Sequence, residues 1–595
     1  MADIVHARDD LAANNRNSSK ITSSSPRDTT ASPAERQDQP PRTDVGTLTL
    51  HWVTAIAFMV SLFTGIRIAA DALSAPVSHW LNPILPQGEI WTWHFLAGLT
   101  LFFAASAYLV YVWRSGLANR NTLKKTRVMV MPVASKMRFG GLNVLLHWAA
   151  YLIVVLMTVT GVILYFGFGG WIVSVHSYVA FIGLAYVFIH AIAHYLYGGW
   201  WQVFRVFRPA KLALTAAVKP KPLLIAGVAG LVVAAGVVAA DWATRDTLIV
   251  TRVEGEPKLD GILDEAMWNR ARPVTIHTQQ GENFGGPGES TVELRAVHNG
   301  EKVFFAVKWS DPTRSLRRLP MIKKEDGWHV IDSRAGRMDV VDFYEDKLAI
   351  IFSDKPAIGG AGVSNLGPSP LPSDKPRPLN ERGFHFTTDG SFVDMWQWKA
   401  SRGGSLGRVD DQFIGPPYDP SADDQAYKAR YQGGYWNDPG RTIYSYNYKF
   451  FSPKDYQGPV EVIKLPKDWK KTQEQLGKIS FDPNVSDDEN GRWNMFEDEV
   501  EPYTKEADAK IPVGTVMPGV LIAGKYEGDR GDLLGGARWR DGYWTLEIAR
   551  TLRTGSKYDK DFVPGKPIYM WVAAFDHVQT RHTRHPRPVR VVTQE

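Results

Sequence analysis

Apolar residues are spread unevenly along this chain. Five runs, at about 47–66, 93–113, 142–166, 173–197 and 222–241, each come close to the ~20 residues that a membrane-crossing helix needs. Ahead of them, residues 1–45 are rich in Ser, Asp, Arg, Asn and Pro without an apolar period, which predicts a solvated, disordered tail. Beyond Asp241 the pattern shortens to segments such as "TVELRAV", "KVFFAVKW", "KLAIIFS", "YWTLEIA" and "IYMWVAAF", separated by turns rich in Gly, Pro and Asp. Such segments predict an all-β, antiparallel sandwich over 242–595. Irregular insertions are expected at 355–383 and 452–515.

Charge orients the apolar part. The connector Arg114–Arg138 carries Arg114, Arg120, Lys124, Lys125, Arg127, Lys136 and Arg138 and no acid. The connector Gly198–Pro222 carries Arg205, Arg208, Lys211, Lys219 and Lys221, again with no acid. Residues 67–92 hold only Arg67, Asp71 and Glu89, and the turn "GFGG" at 167–170 is uncharged. Basic loops stay inside. The N-terminus is therefore expected in the cytoplasm of a bacterial inner membrane and everything after Asp241 in the periplasm. No cleavable signal-peptide pattern stands at the start. A net charge of +6 over 595 residues gives no reason to expect a nucleic-acid partner. The chain has no cysteine, which excludes disulfides, thiolate iron–sulfur clusters, cysteine-based zinc sites and haem attached through C-x-x-C-H.

The apolar part repeats itself. "TLTLHWVTAIAFMVSLFTGI" (47–66) and "NVLLHWAAYLIVVLMTVTGV" (143–162) both place His-Trp thirteen and fourteen residues before Thr-Gly, pairing His51 with Thr64–Gly65 and His147 with Thr160–Gly161. The second and fourth helices open with His94 and His176. A duplicated two-helix unit forming a four-helix bundle over 46–210 follows, with a fifth helix at 222–241.

Histidine is costly in lipid, and the fourth helix carries His176, His190 and His194. His176 and His190 are fourteen residues apart, which returns to within ~40° of one face and separates them by ~21 Å, near the two sides of a ~30 Å apolar slab. His94 is level with His176 on the outer side and His51 with His190 on the inner side. Position 108, level with His190 on the second helix, is Tyr108. Paired neutral imidazoles at two depths suit two bis-His haems b, whose iron has no open position and so serves electron transfer. His194, one turn past His190, is the rival inner ligand. His147 remains as a spare inner-side histidine, expected near a quinone. These residues resemble bacterial cytochrome b561 and the cytochrome b subunits of formate dehydrogenases and nickel–iron hydrogenases. The resemblance implies that quinone reacts beside the inner haem, near His51 and His190.

In the β region, "PKLDGILDEAMWNRA" (257–271) resembles the opening of family 9 carbohydrate-binding modules. "DFYEDKLAIIFS" (342–353) and "VDMWQWKASR" (393–402) are more similar to the haem-binding gamma subunit of ethylbenzene dehydrogenase. The second resemblance implies a third haem b, held in that family by Met and Lys. Met395 and Lys399, four apart, are offered here, as are His385 and, near the C-terminus, His577, His582 and His585. The expectation is a multihaem cytochrome moving electrons between the quinone pool and a periplasmic partner such as a molybdoenzyme or soluble cytochrome. It is read as an electron-transfer subunit with no catalytic residues of its own. A membrane-anchored carbohydrate- or ligand-binding protein, and a self-contained quinol oxidoreductase, are the alternatives.

Overall fold

The computed structural model describes residues 40–70, 81, 84–211, 221–286, 288–331, 342–365, 384–417, 433–441, 443–449, 458–524 and 526–595. Most of the expected tail (1–39) and residues 366–383 and 452–457 of the two insertions lie outside them. The chain divides into two compact units. One takes the stretch up to Phe63 with His94–Thr158 and Tyr178–Asp241; the other takes Thr64–Trp93, Val159–Ser177 and Trp242–Glu595.

Each apolar run folds as a helix: α1 (Val45–Ala69), α2 (Ile90–Arg114), α3 (Ser135–Tyr165), α4 (Trp171–Val203) and α5 (Pro222–Ala243). Among the described residues these five are long and apolar enough to cross a membrane. In the first unit, Asp44 caps α1 by accepting the Thr47 N–H at 2.9 Å, and its other neighbour is the Tyr111 hydroxyl, which donates to it at 2.5 Å. Small residues let helices approach. A Cβ on Gly183 would stand 2.9 Å from the Phe58 ring, and one on Gly230 2.8 Å from the Phe103 ring, so the Phe58 ring of α1 packs onto α4 and the Phe103 ring of α2 onto α5 where a side chain is missing. Both copies of the His-Trp repeat serve one purpose. The Trp52 indole donates to Val206 O at 2.9 Å and the Trp148 indole to Asn121 O at 2.8 Å, tying α1 and α3 each to a basic connector.

The β region contributes one twelve-stranded sheet. Its strands are β1 (Thr247–Arg252), β2 (Val274–Thr278), β3 (Ser290–His298), β4 (Lys302–Ser310), β5 (Lys347–Ser353), β6 (Val393–Lys399), β7 (Asp410–Ile414), β8 (Tyr435–Asn437), β9 (Leu534–Arg540), β10 (Tyr543–Thr551), β11 (Ile568–Phe575) and β12 (Val589–Thr593). The order is β8-β7-β6-β5-β11-β12-β1-β3-β4-β10-β9, with β2 beside β3. The β8-to-β11 half and the β3-to-β9 half face each other across a shared core. Ring contacts cross it: Phe305 on β4 lies 5.4 Å from Trp396 on β6, Trp309 on β4 5.7 Å from Trp398 on β6, and Trp398 4.8 Å from Trp544 on β10. This is the expected sandwich, with one departure. β1 runs parallel to both β12 and β3, because it bridges the two halves instead of turning back as a hairpin.

The second insertion is more ordered than its sequence suggests. It holds a helix over Trp469–Leu476, capped by Asp468, and with residues from 319–330 and 444–448 it closes a second core around Met321, Trp328, Leu465, Met495 and Met517.

Two glycine turns are set by close approach. Gly167, in the uncharged turn between α3 and α4, has φ +88°, and a Cβ there would stand 2.2 Å from His277 O; this turn and β2 belong to the same unit. Gly261 has φ +78° and would meet Arg538 N at 2.4 Å. Its loop is the "PKLDGILDEAMW" stretch, whose polar groups are consumed internally. The buried Glu547 carboxylate accepts the N–H of Asp260 (3.0 Å), of Gly261 (2.9 Å) and of the Trp268 indole (3.0 Å). Removing it leaves three buried donors without an acceptor. Glu547→Ala should cost roughly 2–4 kcal/mol, measured as a lowered urea midpoint by tryptophan fluorescence, with Glu547→Gln losing less.

Candidate haem centres

Four membrane histidines gather within the first unit. His51 stands on α1, His147 on α3, and His190 and His194 one turn apart on α4. The His147 ring centroid is 5.7 Å from that of His190 and 6.5 Å from that of His194, while His190 and His194 are 4.6 Å apart. His51 is within electrostatic reach of all three. His147 is therefore part of the cluster, a placement the sequence reading left open. Its Nδ1 donates to Asn143 O at 2.6 Å; a carbonyl only accepts, so Nε2 keeps its lone pair. His190 faces the Tyr186 hydroxyl at 3.3 Å, its ring stacked on the tyrosine at 5.3 Å. His194 faces Gln202 at 3.4 Å across the break in α4 at Gly198–Gly199.

On α2, His94 Nδ1 donates to Ser61 O at 3.1 Å, which again puts the ring's lone pair on Nε2. One turn on, a Cβ added to Gly98 would meet nothing within 4 Å. His176 Nδ1 is bonded to the Thr160 hydroxyl at 2.7 Å, and a Cβ on Gly161 would stand 3.5 Å from the His176 ring. The Thr-Gly step of the repeat thus has a job: the threonine orients an imidazole and the glycine leaves it room. The repeat was visible in the sequence, but this role was not, since sixteen residues and a turn separate Thr160 from His176. Half-buried imidazoles held at Nδ1 on apolar helices, as in His94, His147 and His176, fit the axial ligands of a b haem.

In the sandwich, Met395 and Lys399 lie on a strand, β6, and not on a helix. Four residues along a strand put them on one face about 13 Å apart. Met395 sits in a buried cluster with Val363, Val393 and Ile414. The Lys399 ammonium is taken up by the Asp410 carboxylate and by the Tyr444 hydroxyl at 3.2 Å. Directly opposite Lys399 on β5 is Lys347, which the sequence reading passed over. Lys347 Nζ donates to Gln579 O at 2.7 Å and lies 4.0 Å from the centre of the Phe575 ring. Burial, then the Arg402 charge, holds its ammonium well below the usual range, toward a neutral amine with a lone pair.

The His582 ring lies 4.9 Å from that same Phe575, and its Nδ1 donates to Thr583 O at 2.7 Å, leaving Nε2 able to ligate. His585 is the reverse. Its Nδ1 accepts the Val572 N–H at 3.3 Å, so Nε2 carries the proton, and burial pushes its pKa down to about 3. His577, at φ +37°, is held by Asp576 (2.5 Å from Nδ1) and by Asp346, which accepts its peptide N–H at 3.0 Å. His385 lies in a two-residue strand paired with Ser364–Asn365. Lys347, Phe575 and His582 are thus brought together, while Met395 and His577 belong to separate groups.

Apolar helices carrying oriented imidazoles, joined to a sandwich with further ligand-type side chains, define a membrane cytochrome b that holds b-type haem and works in electron transfer. The model of the prokaryotic cytochrome b561 family matches residues 42–209. The chain belongs to the ethylbenzene dehydrogenase family, whose model matches residues 265–587, more than half its length. No curated relative matches. Among solved structures, the chain is similar to a family 9 carbohydrate-binding module from Caldicellulosiruptor kristjanssonii in complex with glucose (7% identity, 59% of this chain and 96% of that one, TM-score 0.20). The same organism's module in complex with cellotriose matches at 7% identity over 58% of this chain and 93% of that one, with a TM-score of 0.19.

Losing the hydroxyl that orients His176 should loosen haem binding on that side. Thr160→Val is expected to lower haem retention by ~10-fold or more in a haem-release assay, and Thr160→Ser to restore it.

Proposed function

We infer that this protein carries electrons between the membrane quinone pool and a redox partner on the outer face, a molybdoenzyme or a soluble cytochrome. In this reading His94 and His176 hold one haem, and His51 and His190 hold the other, in the four-helix domain of 46–210. Residues 222–241 anchor a periplasmic sandwich, 242–595, and residues 1–45 form a cytoplasmic tail of an inner-membrane protein. Bis-imidazole iron supplies one-electron transfer and has no open position for oxygen chemistry. The observation that carries the reading is the common posture of the membrane imidazoles, with His94 and His147 each donating Nδ1–H to a helix carbonyl and His176 held by Thr160.

His147 and His194 complete the inner cluster; the Gln202 amide donates to His194 Nδ1, which puts the His194 proton on Nε2, and that N–H suits a quinone carbonyl, which needs a hydrogen-bond donor. A third haem belongs in the sandwich. His385, Met395, His577 and His582 remain its candidate ligands, and the pairing of Lys347 with His582 around Phe575 adds a fifth. Sugar recognition by the sandwich is the weaker alternative, because Glu547 already occupies the polar groups of the loop that carries that resemblance.

Haem stoichiometry decides the matter. A pyridine haemochrome assay should find three haems per chain, and two in His176→Ala and in His190→Ala. Fewer than two in the unaltered chain refutes the reading. His582→Ala should remove the third haem and leave both membrane haems titrating at unchanged potentials.

A further inference from the structure

At one edge of the sandwich, five carboxylates converge on one guanidinium. Asp394 stands on β6, Asp411 on β7, Asp438 just past β8, Asp532 in the turn before β9 and Asp559 in the loop after β10. Arg550, at the end of β10, reaches three of them: its Nη1 lies 2.9 Å from Asp394, 3.5 Å from Asp559 and 4.0 Å from Asp411. Those three carboxylates offer oxygens that all lie within 4.8 Å of one another, and all three residues are buried. Asp532 contacts Asp411.

Asp438 is the independent sign that something is missing. It is 2% exposed, its carboxyl faces that of Asp559, and neither of its oxygens has a hydrogen-bond partner among the described residues. Both oxygens of Asp559, Oδ1 of Asp394, Oδ2 of Asp411 and Oδ1 of Asp532 are likewise buried without a donor. One guanidinium does not neutralise five carboxylates, and buried unpaired charge is among the costliest arrangements in a protein.

The donor set defines the ion. It contains oxygen only, with no imidazole, which disfavours zinc and copper. Seven donor-free oxygens from five separate segments match the 6–8 oxygen ligands and irregular geometry that calcium accepts, whereas magnesium demands a tight octahedron. We propose that Asp394, Asp411, Asp438, Asp532 and Asp559 bind a calcium ion that staples the β6–β8 edge to the loops around β9 and β10. The ion supplies charge on the side of the cluster that Arg550 does not reach, and it stiffens β6, the strand that also carries Met395 on its opposite face.

The test uses the full-length, detergent-solubilised chain after treatment with EDTA. Adding 1 mM calcium chloride, on the order of 1,000-fold above a micromolar Kd, should raise Tm by roughly 5 °C or more. Terbium should show luminescence sensitised by Trp396, whose ring lies 4.8 Å from the Arg550 guanidinium, and calcium should quench it by displacement. Asp438→Asn and Asp559→Asn should abolish both responses. In EDTA, however, each variant should melt no lower than the unaltered chain, since each removes an unpaired charge. Identical melting in calcium and EDTA with no terbium signal overturns the proposal, as does a calcium response that survives in both variants. Haem content plays no part in these readouts, so the outcome is separate from that of the haem count.

Discussion

An imidazole inside a lipid-facing helix bundle has no water to satisfy it, and the whole membrane part of this protein is arranged around that fact. Each ring nitrogen must find a protein group or a metal. Where Nδ1 is bound to a carbonyl, as in His94 and His147, the proton is pinned on that nitrogen and the lone pair is directed elsewhere. The helices can then be apolar on every other surface, because the polar requirement is met at a few fixed depths. Gly183, Gly230 and Ala226 bring the backbones close enough for those depths to be kept in register.

The repeat unit makes this arrangement economical. His-Trp and Thr-Gly, set thirteen and fourteen residues apart, do different work at the two ends of one helix. On α3 the tryptophan fastens the basic connector, His147 joins the inner cluster, and Thr160 holds His176 on α4. On α1, Trp52 repeats the fastening with Val206 O, and Ser61, three residues before Thr64, supplies the carbonyl for His94. The two copies therefore orient His176 and His94 by different groups, a hydroxyl in one and a carbonyl in the other.

How much of this could be read from the chain varies with the range of the interaction. Helix positions, the β-sandwich and the repeat were legible because they follow from periodicity within some twenty residues. The spacing of His176 and His190 along α4 was legible as well, because helix geometry converts spacing into depth. The parallel placement of β1 was not, since it depends on residues 247–252 meeting residues 589–593. The order within 458–515 was missed for a related reason: its core is completed by Met321 and Trp328, more than a hundred residues earlier. Lys347 escaped notice because nothing local marks it; only the register against Lys399 and the Phe575 ring beside it reveal a lysine held off its charge.

The sandwich handles buried charge in two contrasting ways. Around Tyr444, the acids and bases are matched: Asp410 is shared by Lys399 and Arg530, and Glu345 by Arg402 and Arg318. Glu345 also accepts the N–H of Ser401 and of Arg402, so its oxygens are fully employed. A network of this kind resists rearrangement, because moving any one member strands another in a low dielectric. Lys399 is caught in it, while Lys347, opposite it on β5, donates among the described residues to the Gln579 carbonyl. The asymmetry between two lysines facing each other across one register pair follows from which of them has a carboxylate. One amine is thereby held as a structural cation, while burial keeps the other well below the usual lysine range.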